Sequence, residues 1–197
     1  MKVNLTIGIP SWLDKICAWP VIVYRKWKFG YSFRKIFLGE GEFTILDVQD
    51  YYRYCAFKWI MGGQGSTVYA VRSTKIGAKI TTRRLHREIM NAPKGLLVDH
   101  ENGDTLDNRR ANLRLATHFQ NTCNRRKTKS KTASRFVGLC WEKTSSRWVT
   151  HIQVHGKKIY LGRFKSEIDA AKAYDEAAKK YHGAFAHLNF PEAATPS

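Results

Sequence analysis

The chain has 197 residues, enough for one large or two small domains, with a formal charge of +18 and a pI near 10.0. A surface so cationic repels itself and is natural opposite a polyanion, above all nucleic acid. A membrane partner is disfavoured, because no apolar run reaches the length of a spanning helix; the longest, residues 16–23, is broken by Pro20. Asp14 and Lys15 ahead of that run, and no small-residue cleavage site after it, argue against a signal peptide. Cys17, Cys55, Cys123 and Cys140 form no C-x-x-C pair. The expectation is therefore no structural zinc, no disulfide framework, and a reducing, cytoplasmic setting.

Residues 1–33 interleave Trp12, Trp19, Tyr24, Trp27, Phe29, Tyr31 and Phe33 with Arg25, Lys26 and Lys28. Such an extension can stack on bases and touch phosphates, or it can pack its aromatics on the next domain; the residues leave both open. Residues 42–46 read as a strand and 47–59 as a helix with Val48, Tyr51, Tyr52, Cys55 and Trp59 on one face. Residues 61–65, rich in Gly, read as a turn, and 68–71 with 79–81 as a hairpin. Thr82 is placed to cap a helix over 83–90, which Pro93 ends. His86 on that helix is a candidate phosphate contact or a buried structural histidine.

The densest chemistry lies between Asp99 and Asn121. The apolar run 95–98 predicts a strand that delivers Asp99 and His100, and Asn102-Gly103 marks a tight turn. Residues 113–116 predict a return strand. Thr117 with Gln120 has the form of a helix capping box, which puts Asn121 in the first turn of a helix. Asn112 follows His100 by 12 residues, and Asn121 follows Asn112 by 9. A carboxylate and carboxamides suit a hard divalent cation, Mg²⁺ or Mn²⁺, that keeps waters and substrate phosphate in its other positions. A neutral His beside it can accept a proton from an attacking water. Arg109, Arg110 and Arg114 are candidate DNA contacts or a solvated basic face, and Asn108 reads as a turn or cap residue.

Residues 123–134 are basic and nearly free of apolar side chains, hence a linker. Arg125, Arg126, Lys127 and Lys129 can track phosphates along a groove without reading sequence, or simply tether. Residues 136–141, 147–154 and 157–162 then read as three strands. Ser166 with Asp169 opens a helix over 167–181 that Gly183 stops. One face of the central strand carries Arg147, Val149, His151 and Gln153, with Trp141 and Trp148 nearby, a surface suited to a major groove.

Two stretches carry a family resemblance. V-D-H-E-N-G-D-T-L-D-N-R-R-A-N-L-R with Gln120-Asn121 resembles the HNH nuclease motif of phage and intron homing endonucleases, and residues around Leu85-His86-Arg87 resemble the segment preceding it. That resemblance implies His100 as general base, Asp99 and Asn121 as metal ligands, and Asn112 as the residue that holds the loop and orients His100. The last residue of the motif is Asn rather than His, which favours a hard cation over zinc. The second stretch is F-V-G-L-x-W, R-W-V-x-x-I-x-V-x-G-K-K-I-Y-L-G-R-F and E-I-D-A-A-K-A-Y-D-E-A-A-K-K-Y-H-G with Leu188-Asn189-Phe190. It is similar to the APETALA-2 (ethylene-response-factor) DNA-binding domain. By that resemblance Trp141, Lys143, Arg147, Trp148, His151 and Gln153 lie on or beside the DNA-facing sheet. Val137 and Gln153 depart from the Arg common in plant members.

The reading as a whole is an α+β chain. A ββα-metal nuclease domain (34–126, metal motif 97–126) follows the extension. A basic linker (127–134), a three-stranded antiparallel sheet with one helix (135–191) and a tail (192–197) complete it. The expected activity is homing-type, metal-dependent hydrolysis of a phosphodiester in double-stranded DNA by a monomer, with a dimer as the alternative. The location would be the host cytoplasm if phage-encoded. The rivals are a non-catalytic DNA-binding regulator and an intron RNA-binding factor.

Overall fold

A computed structural model describes residues 11–64, 67–124 and 134–191. The chain forms two compact units that interleave in sequence: residues 1–89 with 105–112, and residues 90–104 with 113–197. The fold is mixed α and β, built from several small antiparallel sheets and few helices.

In the first unit, α1 (Ser11–Phe29) runs through Pro20 as one helix, where the sequence suggested no element. It is anchored at both ends of its length. Arg25 donates to the Phe33 carbonyl at 2.7 Å, and Arg34 donates to both Asp14 oxygens at 3.1 Å. Ile16, Trp19 and Trp27 stay exposed. The strands β1 (Arg34–Gly39) and β2 (Glu42–Leu46) form a hairpin. Its turn residues Glu40 and Gly41 sit at φ 52° and 82°, the backbone that matches the twist of a tight hairpin. Helix α2 (Val48–Tyr54) is shorter than expected; the chain turns so that the Trp59 indole can donate to the Tyr54 carbonyl at 2.9 Å.

The Gly-rich stretch read as a turn is a strand, β3 (Ile60–Gln64), paired with β4 (Thr67–Ile76), which pairs in turn with β5 (Lys79–Arg84). A Cβ on Gly62 would sit 2.5 Å from the Val71 side chain, and one on Gly63 would sit 1.9 Å from the Thr67 carbonyl. The glycines are there for close approach, not for flexibility. β5 extends to Arg84, so α3 (Leu85–Ile89) starts later than its sequence signal. Arg72 on β4 holds Glu88 of α3 through 3.0 and 3.1 Å contacts.

In the second unit, β6 (Leu97–His100) and β7 (Leu113–Ala116) pair antiparallel, Asp99 opposite Arg114 and His100 opposite Leu113. Helix α4 (His118–Cys123) follows with both halves of the expected capping box: the Thr117 hydroxyl accepts from Gln120 N and the Gln120 side chain accepts from Thr117 N. The strands β8 (Leu139–Glu142), β9 (Arg147–Val154) and β10 (Lys157–Phe164) form a sheet with β9 central. Helix α5 (Glu167–His182), capped by Ser166, covers one face of it. Phe136, Leu139, Ile152, Ala170, Ala171, Tyr174, Ala177 and Ala178 make the core, the small alanines letting helix and sheet approach. Gly138, at φ +84°, lies directly under Tyr174, whose ring a Cβ there would meet at 2.1 Å. Asp175 accepts from the backbone of Asn189 and Phe190 at 2.8 Å each, and Asn189 in turn accepts from Val137 N at 2.7 Å. The closing Leu-Asn-Phe is thereby stitched both to the segment ahead of β8 and to α5.

Candidate functional site

Asp99 and His100 occupy the last two positions of β6, where neighbouring side chains diverge, and both are buried at 6% and 5% exposure. Asp99 is held from two sides. Arg114 Nε donates to Asp99 Oδ2 at 2.8 Å. Asn124 Nδ2 lies 3.1 Å from Oδ1 and 3.0 Å from Oδ2, and 3.0 Å from the His100 carbonyl. Each carboxylate oxygen has about two lone-pair directions. Oδ2 thus has its acceptor capacity taken by two donors, while Oδ1 keeps room for a further partner. Gly103 N donates to the His100 carbonyl at 2.9 Å, closing the turn after the strand.

Asn121 lies on α4, its backbone N–H donating to the Thr117 carbonyl at 3.0 Å. Among the described residues its carboxamide makes no hydrogen bond. Asn124 is three positions on and so shares its side of the helix. Asn124 is the residue that the sequence reading missed. It falls within the motif segment 97–126 without being singled out there, and its placement beside Asp99 follows from the same helical spacing that places Asn121. Among the described residues no group of three or more His, Cys, Asp or Glu is positioned to hold a metal. A carboxylate oxygen with spare capacity and an unengaged carboxamide are hard donors that fit a cation completing its shell with water and phosphate.

In the first unit, Asn112 is buried and donates to the Asp107 carbonyl at 2.8 Å, so it holds its own loop. Asn108 is more than a turn residue. It is fully buried, its Nδ2 donating to the Thr44 hydroxyl at 2.7 Å, while that hydroxyl donates to the Leu106 carbonyl at 2.7 Å. His86 is 4% exposed, its ring 5.1 Å from that of Tyr69.

The three arginines of the motif are all paired. Arg109 grips Asp107 at 2.8 and 2.6 Å and lies over the Tyr31 ring. Arg110 grips Asp50 at 2.7 and 2.8 Å, and Arg114 holds Asp99. Hydrogen bonding to these carboxylates pushes the Arg109 and Arg110 guanidiniums above their ordinary range. Arg125, Arg126, Lys127 and Lys129 lie outside the described residues.

On the three-stranded sheet, directly paired residues share a face. Glu142 pairs with Arg147, Cys140 with Val149, Tyr160 with His151 and Lys158 with Gln153. Arg147, His151, Gln153, Lys158 and Tyr160 therefore line the side away from α5. Lys158 and Tyr160 are not among the sequence candidates, and the alternation of β10 carries them onto this face. Arg163 joins that side only because a register shift between Tyr160 and Gly162 resets the alternation, and it is tied to Glu142 at 3.1 Å.

Trp141 and Trp148 pair with each other and fall on the α5 side. Trp148 packs on the core, and Trp141, 39% exposed, meets it at 5.0 Å at the sheet edge. Lys143 is exposed in the turn. Burial, and then the charge of Lys158, pushes the His151 imidazole below its ordinary value. At neutral pH it therefore offers one donor and one acceptor rather than a charge.

Comparisons with known proteins fall on these two regions. Residues 91–123 match the HNH endonuclease family and residues 134–184 match the AP2 domain family. The chain is 26% identical over 152 residues to the uncharacterized HNH endonuclease L560 of Acanthamoeba polyphaga mimivirus, covering 77% of this chain and 76% of that protein. It is 42% identical over 66 residues to the AP2-like ethylene-responsive transcription factor TOE2 of Arabidopsis thaliana. It is 41% identical over 58 residues to APETALA2-like protein 2 of Oryza sativa subsp. indica. These two matches cover 34% and 29% of this chain but only 13% of either plant protein.

Proposed function

From a chain that carries an HNH endonuclease domain and an AP2 domain, we propose a homing-type, divalent-metal-dependent endonuclease that cuts one strand of double-stranded DNA per binding event. The observation that carries the reading is the end of β6. There a buried carboxylate and a buried imidazole are adjacent in sequence, and Asn124, the C-cap of the helix that carries Asn121, gives its carboxamide to that carboxylate.

Asp99 and Asn121 are the residues that would hold the ion. A hard divalent cation, Mg²⁺ or Mn²⁺, supplies charge stabilisation at the phosphate and the leaving oxygen when bound. His100 accepts the proton of the attacking water. Asn124 and Arg114 keep the Asp99 carboxylate from rotating, and Asn112 keeps its loop closed. The products would carry 5′-phosphate and 3′-hydroxyl ends.

The duplex would be gripped by the exposed face of the second sheet. Lys143, Arg147 and Lys158 would approach phosphates, while His151, Gln153 and Tyr160 reach base edges. Arg125, Arg126, Lys127 and Lys129 would follow the backbone next to it, and Trp141 would flank the sheet edge. Arg109, Arg110 and His86 serve the fold first, since their pairing or burial leaves them little reach. Among the described residues no helix is long and apolar enough to cross a membrane.

The test is incubation of the purified chain with intron-flanking or phage duplex DNA in Mg²⁺ and in chelator, with the ends mapped. Cleavage in Mg²⁺ alone, giving 5′-phosphate ends, supports the proposal. Retention of duplex without cleavage in either condition would favour a regulator, and preference for structured RNA at matched salt would favour an RNA-binding factor.

A further inference from the structure

Arg114 does more than pair with a carboxylate. Its Nε donates to Asp99 across β6–β7, while its Nη1 donates to the Ala184 carbonyl at 2.5 Å and its Cζ lies 4.1 Å from the centroid of the Phe185 ring. Ala184 and Phe185 belong to the 3₁₀ turn Gly183–Phe185 that ends α5, in the same compact unit as β6 and β7 but on the sheet module's side of it. The side chain is only 19% exposed, which leaves it little freedom to serve any other partner. A second contact runs parallel to it. The Phe119 ring of α4 stacks on His155 in the β9–β10 turn at 4.1 Å and 19°, and meets His182 of α5 edge-on at 6.0 Å. One guanidinium thus spans the Asp99 carboxylate and the C-terminal end of the helix that backs the DNA-facing sheet.

We infer that Arg114 is a positioning residue through which the seating of the sheet module sets the orientation of Asp99, and hence the affinity of the nuclease centre for its cation. This rests on the reading of Asp99 as a metal ligand. The geometry gives the coupling its direction. A planar fork with fixed donor angles transmits rotation, whereas a lysine in the same place would supply charge without angular constraint. Groups that hydrogen-bond a metal ligand fix its orientation, and their loss typically costs about 10- to 100-fold in affinity or activity. Removing the positive charge altogether would be ambiguous, because a cation beside Asp99 also repels a second cation. Charge-preserving variants separate orientation from electrostatics.

The experiment uses the full chain with Arg114→Lys, Phe185→Ala and Phe185→Leu, each checked for an unchanged thermal transition. Mn²⁺ binding without DNA is read by the paramagnetic resonance of free ion, the Mg²⁺ midpoint for nicking by titration, and duplex affinity in chelator by anisotropy. Arg114→Lys is expected to weaken Mn²⁺ binding about 10-fold or more and to shift the Mg²⁺ midpoint upward equally. Phe185→Ala is expected to weaken it about 3- to 10-fold through loss of the ring contact alone, and Phe185→Leu to fall between that and the parent. Duplex affinity in chelator should change less than about twofold. The inference is overturned if Mn²⁺ affinity holds in both Arg114→Lys and Phe185→Ala, or if duplex affinity falls instead, which would make Arg114 a DNA contact. If the parent chain binds no Mn²⁺ and Asp99→Asn changes nothing, the nuclease reading itself fails, and the coupling with it.

Discussion

Asp99 and Arg114 stand directly opposite each other on β6 and β7, and the guanidinium Nε donates to Asp99 Oδ2 at 2.8 Å. That pairing fixes the carboxylate, with Asn124 completing the clamp. In the proposed function the adjacent His100 is the general base. His100→Ala should lower cleavage about 10²- to 10⁴-fold, the usual worth of a general base, while duplex affinity in chelator stays within twofold. Near-parental turnover in a single-turnover assay would remove His100 from that role.

Asn124 carries a prediction of its own, since it touches both Asp99 oxygens and the His100 carbonyl. Asn124→Ala should raise the Mg²⁺ needed for half-maximal nicking by about 10-fold. Excess Mg²⁺ should recover most of the rate, whereas it should not rescue His100→Ala. A variant with an unshifted Mg²⁺ curve would mean that the clamp is dispensable.

The buried Thr44 hydroxyl bridges Asn108 and the Leu106 carbonyl. Thr44→Val keeps the shape and deletes both bonds, taking an acceptor from the buried Asn108 amide, while the Leu106 carbonyl keeps the Ile45 N–H at 3.0 Å. A loss of about 2 kcal/mol is expected by urea unfolding. A change under about 0.5 kcal/mol would show that the loop carries no such strain-free anchor.

Among the arginines, pairing should decide outcome. Arg147→Ala on the exposed sheet face should flatten the slope of log affinity against log salt by about 0.9, one phosphate contact's worth. Arg109→Ala should leave the slope unchanged and instead cost about 3 kcal/mol, because the buried Asp107 loses a bidentate cation. The reverse pattern in salt titrations and unfolding curves would make Arg109, and not Arg147, the phosphate contact.

The Tyr174 phenol, buried under the sheet with Cys123 and Asp175 near, is pushed up to about 12. Unfolding returns it towards its ordinary value near 10, so the unfolded chain sheds this proton first as pH rises. The contribution is fully present below pH 10 and is lost progressively as pH climbs from 10 through 12. Burial also pushes the Cys123 thiol above its ordinary 9.0, adding a loss of the same sign. Tyr174→Phe should therefore lessen the alkaline fall of the melting temperature. An unchanged fall would mean that the phenol is not the group responsible.

Local chemistry was enough to place β6, β7 and α4, the capping box at Thr117 and Gln120, and the strands and helix of the second module. Each is announced by alternation, turn residues or caps acting over a few positions. The adjacency of Asp99 and His100 needed nothing more than the strand that holds them. Sequence spacing was silent on which cation meets which carboxylate. Arg110 finds Asp50 sixty positions away, and nothing local distinguishes it from a solvated arginine. The same holds for the strand through Gly62 and Gly63, whose glycines look like a turn until Val71 and Thr67 lie against them. It holds too for the side of the sheet taken by Trp148, settled by the helix that packs there. Short-range preferences set what each segment is; long-range packing and ion pairing, with energies set by burial, set what each side chain is free to do.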